Sequence, residues 1–127
     1  MPGFIDNIEQ LTLENTLYRQ VLFTSQHLQL VVMSIPPQGE IGLETHDFTD
    51  QFLRIEKGTG VAILNGEKKE VGDGSALVVP AGTEHNVINT SDSEPLQLST
   101  LYSPPHHRPG VKHGTKEEAD HDEDDHL

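Results

Sequence analysis

The feature that most constrains this sequence is its rhythm. Short apolar and β-branched runs, each closed by a turn cluster, recur about every 8–12 residues. Tyr18 to Thr24 and Leu28 to Ile35 are separated by Ser25-Gln26-His27, and Pro36-Pro37-Gln38-Gly39 turns the chain. Gln51 to Glu56 alternates before Lys57-Gly58-Thr59-Gly60. Val61 to Leu64 leads into Asn65-Gly66, a pair suited to a two-residue hairpin because both residues tolerate positive φ. Glu70-Val71-Gly72-Asp73-Gly74 precedes Ser75 to Val79, Pro80-Ala81-Gly82 ends that run, and His85 to Asn89 and Leu96 to Tyr102 complete the set. A helical turn is expected only around Asp6 to Leu11. Seven or eight short strands with frequent turns predict an all-β, antiparallel sandwich or barrel.

A chain of 127 residues suits one domain. Its composition changes near Ser103. Residues 106–127 hold five of the eight histidines and seven of the 21 acids, with almost no large apolar side chain. The expected organisation is therefore a β-barrel domain over residues 1–103 and a His/acid-rich tail over 104–127, partly disordered because it has little to bury. Lys and Arg total 8, and the net charge is −13. Such a body repels phosphate backbones and anionic bilayers, so neither nucleic acid nor membrane is an expected partner. Cysteine is absent, which removes disulfides, thiolate metal sites and a Cys nucleophile together. The longest mainly apolar stretch, Leu28 to Ile35, falls far short of the roughly 20 residues of a spanning helix. Met1-Pro2-Gly3-Phe4 shows no cationic segment followed by an apolar one, so a cytoplasmic location is expected.

Strand alternation also gathers a candidate site. Glu44 and His46 are two apart and can point into the same interior. Gln51 can return on the next strand toward the same spot, with Leu53 and Ile55 as its face-mates. His85 starts another strand after Pro80-Ala81-Gly82. Two imidazoles, a carboxylate and a carboxamide form an N/O set suited to one divalent transition metal, Fe, Mn, Ni or Zn.

The stretch from Gly74 to Asn89 also carries a recognisable motif: Gly74, five residues, Pro80-Ala81-Gly82, two residues, His85, three residues, Asn89. It resembles the second signature of the cupin superfamily at every defining position. In the region of the first signature, Glu44 stands where the first His is expected, His46 at the second, Gln51 at the Glu, and Gly58 closes the motif. The resemblance covers roughly residues 28 to 102 and is to the small single-domain bacterial cupins, including those called mannose-6-phosphate isomerase-like. It implies a jelly-roll (double-stranded β-helix) barrel with a metal held by Glu44, His46, Gln51 and His85. Two ligand types differ from the family's usual three His and one Glu. The carboxylate is moved and a neutral Gln introduced, which makes the site richer in oxygen. A Gln ligand resembles cupins that process sugar-derived acids with the metal as a Lewis acid.

The expected function is binding of, or action on, a small oxygen-bearing metabolite such as a sugar-derived or keto acid, by isomerase, lyase or dioxygenase chemistry. The alternative is a non-enzymatic metal- or metabolite-binding or sensing module. Asp50 and Tyr102 are the catalytic candidates, although Asp50 also reads as a turn cap and Tyr102 as a core-edge aromatic. Exposed sheet edges and a thin core point to a homodimer. The tail reads as a solvated acidic segment, with Pro104 to His107 folding back so that His106 and His107 line the entrance. A loosely metal-binding tract is the other reading of its histidines.

Overall fold

Alternation decides which side of each strand faces inward. In the strand Asp50–Lys57, Gln51, Leu53 and Ile55 are buried while Asp50 and Arg54 face solvent, as the sequence pattern requires. The computed structural model describes residues 2–126. In chain order the elements are α1 (Ile8–Glu14), β1 (Arg19–Thr24), β2 (Gln29–Ile35), β3 (Asp50–Lys57), β4 (Gly60–Leu64), β5 (Glu67–Val71), β6 (Ala76–Val79), β7 (His85–Asn89), β8 (Leu96–Ser103), β9 (Lys112–His113) and α2 (Lys116–His121). They form an antiparallel jelly-roll β-barrel. A six-stranded sheet in the order β6-β3-β8-β2-β1-β9 faces a three-stranded sheet in the order β5-β4-β7. Val31, Met33, Ile35, Leu53, Ile55, Leu96 and Leu98 are fully buried in the core between them.

The Asn65-Gly66 hairpin forms as expected. Leu64 pairs with Glu67, and both turn residues take positive φ, 49° and 83°. The strand expected to carry Glu44 and His46 is not continuous. Residues 39–46 run beside β7 through separated bridges: the Ile41 N–H donates to the Val87 carbonyl (3.0 Å) and the Glu44 N–H to the His85 carbonyl (3.0 Å). The His85 N–H donates back to the Glu44 carbonyl (2.9 Å). Gly42, at φ +110°, breaks the ladder, and its N–H turns to the Asn86 side-chain oxygen at 2.8 Å.

Beyond Ser103 the chain packs back on the barrel. β9 pairs with β1, placing His113 opposite Arg19. The Gln29 carboxamide, fully buried, staples the start of the segment. Its Nε2 donates to the His107 carbonyl (2.7 Å), and its Oε1 accepts from the His106 and His107 N–H groups (3.2 and 2.9 Å). His107, His113 and Asp125 are buried. The expectation of mobility came from scarce apolar surface. What orders this segment is polar pairing, which hydropathy does not register.

Asn89 closes the loop between β7 and β8. Its Nδ2 donates to the carbonyls of Ile35, Pro36 and Glu94, and its Oδ1 accepts from the Ser91 N–H. Replacing it leaves buried carbonyls unpaired. Asn89→Ala is expected to lower unfolding free energy by about 1–3 kcal/mol in urea titrations, and an unchanged midpoint would contradict this role.

Candidate metal centre

The turn before β7 fixes His85. Gly82, at φ +86°, donates its N–H to the His46 carbonyl (2.8 Å), so the loop carrying His46 and the turn carrying His85 are tied together. His85 Nδ1 lies 2.9 Å from the Thr83 carbonyl oxygen. A carbonyl only accepts, so Nδ1 carries the proton and Nε2 of the neutral ring presents a lone pair. That Nε2 lies 3.7 Å from Glu44 Oε1, and His46 Nε2 lies 3.3 Å from the same oxygen. The two imidazole centroids are 5.1 Å apart.

His46 is 8% exposed, His85 2% and Gln51 2%. Neither Nε2 has a hydrogen-bond partner among the described residues, and neither does Gln51 Oε1. The Gln51 amide nitrogen donates to Thr100 Oγ1 at 3.0 Å, which leaves the oxygen as the free end. Orphaned buried polar atoms cost about 1–3 kcal/mol each. A cation about 2.1 Å from each of two donors holds them roughly 3.0–3.4 Å apart. The observed 3.3 and 3.7 Å lie close to that spacing, and the donor set is an N/O set that divalent transition metals accept. The residues fit such an ion.

Charge is distributed accordingly. Burial raises the Glu44 carboxyl, but the His46 and His85 imidazoles outweigh it and hold it well below the usual carboxylate range. Burial lowers His85, yet Glu44 and the Thr83 carbonyl leave it above its ordinary value. Without a metal, a proton on His85 Nε2 is the alternative cation.

Of the residues singled out from sequence, Glu44, His46 and His85 meet, their donor atoms all within 4.8 Å of one another. Gln51 sits on the inward face of β3 opposite Tyr102, whose ring stands 5.9 Å from that of His46. Asp50 is exposed, and its Oδ1 accepts the Ala81 N–H at 2.8 Å, bracing the turn after β6. Tyr102 is buried, and burial pushes its phenol far above the ordinary value. Its ring stacks on His106 (5.5 Å) and meets His107 edge-on (5.0 Å). His106 in turn lies 4.2 Å from the His46 ring, and burial together with the neighbouring His46 pulls it down to about 3.

The sequence reading missed the wall opposite Glu44. A cleft of about 350 Å³ opens there between Tyr18, Arg19 and Glu44 on one side and Asp120, Asp122 and His126 on the other. α2 supplies part of that wall. A capping signature, Thr115-x-x-Glu118, marks its start: Thr115 Oγ1 accepts the Glu118 N–H (3.2 Å), and the Glu118 carboxylate accepts the Gly114 N–H (2.7 Å).

Comparison with known proteins bears on the fold that carries this site. The Cupin domain family matches residues 31–102. The chain is 45% identical to YrkC of Bacillus subtilis over 122 residues, covering 91% of this chain and 65% of that one. It is 45% identical to L612 of Acanthamoeba polyphaga mimivirus over 111 residues, covering 84% of this chain and 69% of that one. The chain thus spans about two thirds of the length of these relatives. The crystal structure of BH2720 from Bacillus halodurans superposes with a TM-score of 0.90 at 43% identity, covering 93% of each chain.

The carboxylate–imidazole contact has a pH signature in the metal-free protein. His85 is raised, so its pairing stabilises the fold fully below the unfolded-state pKa and is lost as pH rises through the folded value. An NMR titration of metal-free protein should place the His85 midpoint above its ordinary value, and Glu44→Gln should bring it down. A midpoint unmoved by that substitution would contradict the contact.

Proposed function

The chain belongs to the cupin family, and from that premise we propose that it holds one divalent transition metal, Fe, Mn, Ni or Zn, through Glu44, His46, Gln51 and His85. Through that metal it binds or acts on a small oxygen-bearing metabolite, such as a sugar-derived or keto acid. One observation carries the reading: three buried, unpartnered donor atoms, His46 Nε2, His85 Nε2 and Gln51 Oε1, with the first two converging on the Glu44 carboxylate. A bound cation would supply Lewis acidity to a carbonyl or enediolate there. Glu44 contributes the set's single negative charge, and Gln51 supplies a neutral oxygen aimed by Thr100. Arg19 lines the cleft with its guanidinium facing Asp125 (Nη1 to Oδ2, 3.8 Å), the one cation among the described residues of an otherwise acidic lining.

A second reading, a binding or sensing module without turnover, is favoured by one specific feature. Asp50 sits on the solvent face of β3, bracing the Ala81 N–H, and burial pushes the Tyr102 phenol up, so neither presents a ready base to the Glu44 centre. The cysteine-free composition permits a reducing compartment, and no helix among the described residues is long and apolar enough to cross a membrane.

Elemental analysis of tag-free protein, purified without nickel resin, tests the metal. His85→Ala is expected to lose one equivalent relative to the unsubstituted chain, whereas identical metal content would overturn the barrel centre. Keto and sugar acids should then perturb the absorption of the Co(II)-loaded protein. Perturbation without product favours the module, and product favours the enzyme.

Homodimerisation is part of the same proposal. β6 is an edge strand of the larger sheet and exposes Val78 at 65%, a surface that a second copy can cover. Light scattering should give twice the 14.0 kDa chain mass, reduced by Val78→Lys. A monomer at micromolar concentration would contradict it.

A further inference from the structure

A second group of histidines lies outside the barrel set. His106, His107 and His126 bring donor atoms within 4.8 Å of one another. Their ring centroids are separated by 4.9 Å (His106 to His107), 4.5 Å (His106 to His126) and 5.6 Å (His107 to His126). Two stretches of sequence build it, the adjacent pair His106-His107 and, about 20 positions on, His126.

His107 is the anchor. It is 1% exposed, and its Nδ1 lies 2.9 Å from Asp125 Oδ2. Asp125 is itself 1% exposed and has Arg19 Nη1 at 3.8 Å from the same oxygen. The ionised carboxylate only accepts, so His107 Nδ1 donates and Nε2 is left as a lone pair. That Nε2 is buried with no partner among the described residues. A carboxylate fixing one nitrogen of an imidazole while the other stays bare is the arrangement that orients histidines on metals. His126 is held opposite His107 by a backbone bridge, with the Arg108 N–H donating to the Asp125 carbonyl. It is exposed and lines the acidic cleft beside Asp120, Asp122 and Glu123, which gives a cation a favourable approach.

We propose that His106, His107 and His126 form a second cation site, taking a borderline divalent ion of the zinc, nickel or copper class, at the mouth of the barrel. Three imidazoles form the set, with Asp125 Oδ2 beside two of them (2.9 Å from His107 Nδ1 and 3.7 Å from His126 Nε2), and the nitrogen-rich donors favour borderline ions. A tetrahedral ion would hold its nitrogens about 3.4 Å apart, so the three donors, within 4.8 Å of one another, would draw together on binding. Occupancy would add a further fastening to the polar pairs that already hold this segment over the entrance. The proposal does not rest on the barrel centre being filled.

Calorimetric titration of metal-free, tag-free full chain with Zn(II) alone tests it. Two equivalents are expected. His126→Ala, an exposed position that leaves the fold intact, should weaken one equivalent at least tenfold and spare the other. His85→Ala should do the reverse. Asp125→Asn should weaken the same equivalent as His126→Ala, by about 10–100-fold. His121→Ala, in the same segment but outside the cluster, should leave both unchanged. Two equivalents unaffected by His126→Ala would overturn the site. A single equivalent lost in both His85→Ala and His126→Ala would also overturn it, showing one shared ion. Weakening by His121→Ala as well would reduce it to loose binding along a His-rich tract.

Discussion

Two reciprocal backbone hydrogen bonds between Glu44 and His85 organise the rest of the molecule's chemistry. They lock a broken edge segment onto β7 and so bring a carboxylate to an imidazole that has one nitrogen already committed to a carbonyl. Once that register is set, the Gly82 N–H to His46 carbonyl bond delivers the second imidazole to the same oxygen. The jelly roll buries both imidazoles, and the pairing of two loops across it brings them to a Glu44 carboxylate at the floor of the cleft. Lone pairs facing a carboxylate in such an interior are tolerable only with a cation between them, whether proton or metal.

Much of this was legible because strand alternation is a strict code. The inward run Gln51, Leu53, Ile55 and the positive-φ hairpin at Asn65-Gly66 follow directly from side-chain period and turn sterics. The signature from Gly74 to Asn89 was equally readable, since each of its residues does a separate job: Gly82 turns the chain, His85 presents a donor and Asn89 satisfies three carbonyls. These residues also put the family within reach, and the match over residues 31–102 bears that out.

What stayed hidden is instructive for its physics. β5 is Glu67-Lys68-Lys69-Glu70-Val71, almost wholly charged, and its strand state comes from pairing with β4 rather than from its own pattern. The segment after Ser103 has no apolar periodicity at all. It is fastened by a buried Gln29 amide, 78 positions from His107, and by the His107–Asp125 and His113–Asp122 pairs, 18 and 9 positions apart. Composition measures burial of carbon, and here the fastening is done by polar groups. As a result the wall of the cleft, including His126 and α2, was invisible from sequence except for the cap at Thr115.

The central claim is that the unpartnered donors in the barrel exist to hold a metal ion. Anomalous diffraction from crystals of tag-free protein, collected across the absorption edges of Mn, Fe, Ni and Zn, tests it most directly. The account predicts an anomalous peak between Glu44 Oε1, His46 Nε2 and His85 Nε2, with Gln51 Oε1 turned toward it. A barrel with no peak, even after soaking in these ions, and with His85 Nε2 and Glu44 sharing a proton in a direct hydrogen bond, would contradict it.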